Sequence, residues 1–538
     1  MYSKIIFYLI GLFFILTSCE KSRNEIVDQG QATLSVKLNG LEYEDEEELY
    51  ASTSTAEKME IPTHIQYVDK DFQIESQLIP VKENNTQNLA KGFKQKSSGI
   101  PKELGEKIKY KLLVYKENNT LAVSKDYVYG EETLESSIIL NTYDTYTFIV
   151  VSARSTSTLP TIDNINDLTT ASINNVNADL LYWKSTPKKL TEGQNFLAAI
   201  LKPKFSEVTI TLRMDQTMTG AITGISNTVF NPVVQNVSLN LKTGNLTYGA
   251  VNTAGKAVTF PSLGTNGQRT ITANPTTLIH NLTNSASLKF GSLSVDGETK
   301  SNITVTGLNI KPGYRYNLIL TLKTCTQAVN GLDGFNWEFP QATRTTGKGK
   351  NQVTETGIYF TSTDFKKNGE MISFQFNETG ADYGFVYDIM ELDNAFNLEV
   401  NGTPLVGNSV TAGEIQFQNN ATSTTQNIEF EDGSQYQTIG NTNIAANKRV
   451  KAIWEIKGTV AKPTVRVVIG RNGDVLMYGS KTDQGELFPL RLKNNAQFNT
   501  VTWKGGNQTN IIKATSRVEG KTVMKSSGSG RKKVSCNN

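Results

Sequence analysis

The 538-residue chain is poor in the residues that build reactive centres, with three cysteines and two histidines. No Cys-x-x-Cys and no close histidine pair occurs, which removes the common zinc and redox spacings. No Gly-x-Ser-x-Gly elbow is present, and neither His64 nor His280 is set for a Cys/His pairing. Past the first residues no apolar run approaches the roughly eighteen residues of a membrane-spanning helix. A net charge of +3 gives no excess of cations for a nucleic-acid face. GKGK at Gly347 to Lys350 lacks the Walker spacing. The acidic run YEDEEELY, residues 43 to 50, is contiguous, whereas a calcium loop converges its oxygens around a tight turn. No cofactor, no metal and no nucleic-acid partner is therefore expected. Long helical periodicities are scarce as well.

What the chain does have is alternation. ATLSVKL, KIKYKLLVY, YTFIVV, VTITLRM and YRYNLILTL place apolar residues at every second position. Half-buried strands read this way, and turn residues separate them. The last 190 residues add MISFQF, FNLEV, KAIWEI, VRVVIG, VLMYG and FNTVTW, with Arg471-Asn472-Gly473-Asp474 as a hairpin turn. The expected fold is all-β, with tandem antiparallel β-sandwiches followed by a third β-sandwich domain. The boundaries read as 19–203, 204–325, a linker at 326–349 that is poor in aliphatic residues, and 350–538. KSSGSGRKKVSCNN at the end reads as a flexible Gly/Ser piece with a short closing strand.

The first residues, MYSKIIFYLIGLFFILTSCE, carry Lys4 and then a twelve-residue apolar run, Ile5 to Leu16, of signal-peptide length. Leu16-Thr17-Ser18-Cys19 resembles the bacterial lipobox. That resemblance implies that residues 1–18 are a signal peptide and that Cys19 takes the lipid, so the partner is a membrane and the place the cell outer membrane. The remaining cysteines, Cys325 and Cys536, either bond each other across the third domain or stay as two buried thiols. A bond needs Cα atoms about 4.4–6.8 Å apart.

A ligand site, if the third domain has one, would use carboxylates and amides beside exposed tyrosines, as sugar sites do. Asp382 and Tyr383 precede one strand, Asp393 and Asn394 precede the next, and Tyr478 follows VLM. The same residue types also finish ordinary turns. Paired carboxylates for glycoside hydrolysis acquire their spacing only in the fold, so a hydrolase in the third domain stands as a further class. Nothing in the residues calls for an enzyme.

Four segments in order, KYKLLVYKENNTLAVSKDYVYG, YTFIVVSARSTSTLPT, DLLYWKSTPKKLTEGQNFLAAILKPKFSEVTITL and GLNIKPGYRYNLILTLKT, resemble the fimbrillin-like surface proteins of Bacteroidetes. This implies two tandem sandwiches, export as a lipoprotein, and removal of the first strand by an Arg- or Lys-directed protease so that another subunit can donate a strand. Lys91, Lys94 and Lys96, in a Gly/Ser/Pro-rich loop, are the positions such cleavage would use. The third domain departs from a stalk pilin and resembles further Bacteroidetes surface lipoproteins. The expectation is a non-enzymatic tip or accessory adhesin with a glycan or protein ligand on host or matrix. A surface glycan-binding lipoprotein serving polysaccharide uptake is the alternative.

Overall fold

The computed structural model describes residues 30–44, 62–81, 102–281, 286–329, 334–409, 413–418, 426–437 and 444–536. Cys19, Lys91, Lys94 and Lys96 lie outside them. Among the described residues the chain is all β, with short 3-10 turns and no α-helix. It forms two compact units. Met1–Tyr43, Glu83–Lys204 and Val237–Thr247 make the first, and Glu44–Lys82, Phe205–Asn236 and Tyr248–Asn538 the second.

The first unit closes its sheets on a core that includes Leu34, Val36 and Leu38 from Gln31–Leu41, with Leu112 and Val114 from Lys109–Lys116. Thr145–Ser152, paired with Lys109–Lys116, adds Phe148 and Val150. These are the alternating positions of the sequence, and burying each such side chain contributes about 1.5–3 kcal/mol. Gln31–Leu41 runs parallel to Gly193–Pro203 and antiparallel to the short strand Ile138–Asn141.

The second unit contains the second sandwich and the third domain. In the second sandwich Ser206–Met214 runs parallel to Arg315–Thr324, repeating the first-against-last arrangement of the first unit. Purely antiparallel sheets were expected. The difference follows from connection length, because two strands separated by a hundred residues of intervening fold can return in the same direction, whereas hairpin partners cannot.

Three segments depart from the boundaries read in the sequence. The hairpin His64–Asp69 and Phe72–Pro80, placed with the first sandwich, pairs through Phe72–Pro80 with Arg315–Thr324 of the second. Its Phe72 and Ile74 are buried in that core. Conversely Val237–Asn240 pairs with Ser172–Val176 of the first unit. The expected linker 326–349 holds the strands Thr326–Ala328, Asn336–Phe339 and Ala342–Thr346. Its low aliphatic content misleads because Phe335 and Trp337 do the packing, stacked among Phe374, Phe376 and Tyr387.

In the third domain Phe385–Leu392, Val465–Ile469 and Val475–Ser480 form consecutive antiparallel pairs, with the turn at Gly473 (φ 82°) between the last two. KAIWEI and FNTVTW are not strands. Ile453 and Ile456 are buried three residues apart, the spacing of the 3-10 turn Ile453–Glu455. Val501 and Trp503 are buried without a strand ladder, Trp503 donating from its ring nitrogen to the Ala381 carbonyl at 2.8 Å.

The strand Thr522–Lys533 spans the segment read as flexible. It pairs with Phe385–Leu392 on one side and with Asn336–Phe339 and Thr326–Ala328 on the other. Its small residues are there for contact rather than freedom. A Cβ on Gly528 would stand 2.7 Å from the Tyr387 ring and 2.8 Å from the Phe385 ring. Ser526 accepts from the Phe335 N–H and donates to the Phe335 carbonyl, both at 2.8 Å.

Candidate functional site

The densest polar arrangement in the second unit lies where the second sandwich meets the third domain. The turn between His64–Asp69 and Phe72–Pro80 supplies Asp69 and Asp71, the strand Glu298–Val305 supplies Glu298 and Lys300, and the end of Thr522–Lys533 supplies Lys533. Lys300 Nζ lies 2.9 Å from Asp69, 3.0 Å from Asp71 and 3.2 Å from Glu298. Lys533 Nζ lies 2.5 Å from Asp71 and 2.8 Å from Glu298. Tyr383 donates its hydroxyl to Glu298 at 3.1 Å, and its ring lies under both Lys533 and Arg471. Arg471 in turn donates to the Asp296 carbonyl at 2.9 Å.

Partial burial disfavours the charges of Asp71, Glu298, Lys300 and Lys533, and the pairing overcomes it. Hydrogen bonds from Lys533 and Lys300 hold the Asp71 carboxyl far below the usual range despite burial. The hydrogen bond from Lys533 also lowers the Glu298 carboxyl. Lys300 and Lys533 are held above the ordinary lysine range by their carboxylates, again against burial. Asp71, Glu298, Lys300 and Lys533 therefore stay charged between the ordinary carboxylate and lysine values.

Beside this network Cys325 and Cys536 form a disulfide with Cα atoms 5.3 Å apart. The Cys536 N–H donates to the Lys70 carbonyl at 2.8 Å, and the Cys325 N–H to the Asp71 carbonyl at 2.9 Å. Segments near residues 70, 325 and 536 are thus fastened at one point. Farther along the junction Arg269 donates to the Tyr478 hydroxyl at 2.9 Å, and Gln216 to the Leu487 carbonyl at 2.7 Å.

The residues expected to form an exposed ligand group do not converge. Asp382 and Tyr383 precede Phe385–Leu392, and Asp393 and Asn394 follow it, so an eight-residue strand, roughly 25 Å long, separates them. Asp382 accepts from the Gly506 N–H at 2.9 Å and fixes a turn. Tyr383 and Tyr478 are committed to the junction, and Tyr478 is only 4% exposed. Burial pushes the Asp393 carboxyl up to about 7, even though it accepts from the Asn394 and Val523 N–H groups. Asn394 donates to Glu519 at 3.2 Å. These residues are turn and interface elements, as the plainer reading of their types allowed. The junction itself was invisible in the sequence: Asp69, Asp71, Glu298, Lys300 and Lys533 carry no common motif, and only the two cysteines marked the place.

One pair has the form of a nucleophile and base, Ser206 Oγ and His280 Nε2 at 3.1 Å. Ser206 is 0% and His280 2% exposed, and burial lowers the imidazole, so this is a neutral core hydrogen bond. No metal-capable cluster occurs among the described residues. A cavity of about 280 Å³ opens on the second sandwich, lined by Ile225, Thr228, Val258, Phe260, Pro261 and Leu263 among others. The Thr228 hydroxyl in its wall is buried and has no protein partner.

No family model and no curated sequence matches the chain. Among solved structures it is similar to a candidate cell adhesion protein from Bacteroides fragilis, at 13% identity over 62% of this chain and 99% of that one, TM-score 0.30. It is also similar to a candidate polysaccharide binding protein from Bacteroides thetaiotaomicron, at 11% identity over 35% and 69%, TM-score 0.24. The fimbrial anchor protein Mfa2 from Porphyromonas gingivalis is a third such neighbour, at 9% identity over 56% and 92%, TM-score 0.25.

Proposed function

We propose that the chain is a lipid-anchored surface protein, fastened to the outer membrane through Cys19, that acts in adhesion as a tip or accessory subunit of a protease-processed pilus or as a stand-alone adhesin. The observation that carries this reading is the interior position of Thr522–Lys533, paired along both sides and followed by Cys536 in a disulfide. A stalk subunit must give up a terminal strand to its neighbour, and this strand is bound into its own domain. The junction then holds the third domain firmly on the second sandwich, which suits a domain that must present a face under load. Cleavage at Lys91, Lys94 or Lys96, followed by departure of Gln31–Leu41, would take Leu34, Val36 and Leu38 out of the core and open the groove lined by Leu112, Val114, Phe148 and Val150 to a donor strand, and the lipid on Cys19 would leave with the released piece.

Two measurements test this. Cells lacking the protein should lose attachment to matrix-coated surfaces, and residues 20–538 should bind a component of a glycan or matrix-protein array. Recovery of the protein as the repeating subunit of sheared filaments, with no array binding, would overturn the reading.

Glycan binding for uptake is the second reading, and the cavity beside Thr228 favours it. Its walls are apolar and uncharged, with the amide of Asn227 at the edge, a match for the face of a neutral ring. Array binding abolished by Phe260→Ala would assign the ligand there.

A further inference from the structure

The four most exposed large apolar side chains in the described structure all belong to the first unit: Leu134 (80%), Phe196 (73%), Tyr143 (71%) and Ile139 (64%). The strand register brings them to one region. Ile139 pairs with Thr33 and Phe196 with Ser35, so both stand on the outward face of one sheet, on either side of Gln31–Leu41. Two strand spacings and two residues separate them, roughly 12 Å. Tyr143, two residues past Ile138–Asn141, has its ring over Gly30 at the N-terminal end of Gln31–Leu41, whereas Leu134, in the 3-10 turn four residues before Ile138–Asn141, lies toward the C-terminal half of that strand. A monomer rarely leaves such a group bare without a use for it. Tyr143, Ile139 and Phe196 line the N-terminal half of Gln31–Leu41, and Leu134 extends the patch toward its other end.

We propose that this face rests on the surface of the bilayer that holds the chain, an inference that itself depends on the Cys19 anchor. From Cys19 to Gly30 is 11 residues, a reach of at most about 36–40 Å. The N-terminal end of the first strand can therefore never be far from the membrane. A short tether keeps the patch at an effective concentration in the millimolar range toward the bilayer, which a freely diffusing partner cannot match. The electrostatics permit it. Outward positions of Gln31–Leu41 carry Lys37 and no carboxylate. Of the nearby acids, Glu135 is paired with Lys125 and Asp144 with Lys116, Glu132 accepts from the Tyr110 hydroxyl and the Gly130 N–H, and Glu192 accepts from the Gly30 N–H, so exposed Glu131 faces the single positive charge of Lys37 in the balance of the rim. Apolar and aromatic side chains over a near-neutral rim suit the interface of a zwitterionic lipid surface.

The test replaces the natural anchor, so that the two ideas fail separately. Residues 20–538 with an N-terminal hexahistidine tag are captured on phosphatidylcholine vesicles containing nickel-chelating lipid, with or without brominated acyl chains. Phe196→Trp and Ile139→Trp add reporters to the patch and Phe488→Trp adds one to the third domain, with the emission of the parent subtracted. The inference expects the added emission at 196 and 139 to be lost on brominated vesicles and that at 488 to be unchanged. Equal emission at 196 and 139 with and without bromine, while the protein stays captured, overturns it. So does a dimer in solution that already shields position 196. Mass spectrometry of the N-terminal peptide from cells reports on Cys19 independently, and an unmodified cysteine there would remove the anchor without touching the quenching result.

Discussion

The first and last strands of the described chain are similar in length and differ in how they are held. Gln31–Leu41 buries one face, leaves the other bare, and beyond its parallel partner meets the four residues Ile138–Asn141 and, at Leu41, Lys102. Thr522–Lys533 is paired on both sides and lies beneath Phe385 and Tyr387. The ion pairs of Lys533 and the disulfide of Cys536 follow directly. The contrast teaches that the second unit spends its covalent and ionic fastening on keeping its last strand, whereas the first unit holds its opening strand by burial and ladder alone and turns an apolar face outward.

Removing the fastening should have the largest effect. Cys325→Ser with Cys536→Ser opens a loop of 211 residues, which the entropic model sets at about 5 kcal/mol. Urea unfolding should show this loss in the transition of the second unit and leave the first unaltered. Leu34→Ala attacks the other strand through its core face, which is fully buried. A loss of about 2–5 kcal/mol is expected there, confined to the first unit. Gly528→Val should cost about 1–3 kcal/mol or more by forcing the Tyr387 and Phe385 rings apart. A neutral result would mean that the last strand is not packed beneath them.

Smaller effects sharpen the comparison. Lys533→Met should cost about 1 kcal/mol, since its partners are partly exposed and Lys300 remains. The carboxyls of Asp71 and Glu298 are lowered from their ordinary values of 3.8 and 4.5. Their stabilisation is therefore present above those values and lost as pH falls below them. Acid unfolding of the second unit should show this sensitivity, and Lys533→Met should reduce it. A variant with the same acid profile as the parent would mean that the network contributes nothing. Phe196→Ser, on the bare face, should change stability by less than about 0.5 kcal/mol. A large loss would mean that this face is not free.

The same contrast explains what the sequence could tell. Leu34, Val36 and Leu38 alternate with polar residues because one face of their strand is solvated, and that alternation is readable. Thr522–Lys533 places Ser526, Gly528 and Gly530 where other strands place aliphatic residues, so it imitates a linker until Phe385 and Tyr387 are placed above them. The segment 326–349 misled in the same way, because the packing of Phe335 and Trp337 substitutes for the missing aliphatics. The hairpin His64–Pro80 looks local in the sequence, and only the register against Arg315–Thr324 assigns it to the second sandwich. At the junction the cysteines were legible as a pair, whereas Asp71, Glu298 and Lys533 are ordinary surface residue types joined from distant segments. Tyr383 and Tyr478 looked like ligand platforms because an exposed tyrosine and an interface tyrosine are identical in sequence.

Hydrogen exchange of the oxidised protein tests the central claim most directly. If Thr522–Lys533 is an interior strand locked at the junction, its amides should exchange only with global unfolding of the second unit, as slowly as those of Phe385–Leu392. Exchange at the rate of a frayed terminus, with Phe385–Leu392 still protected, would contradict the account and return this strand to the pool available for donation.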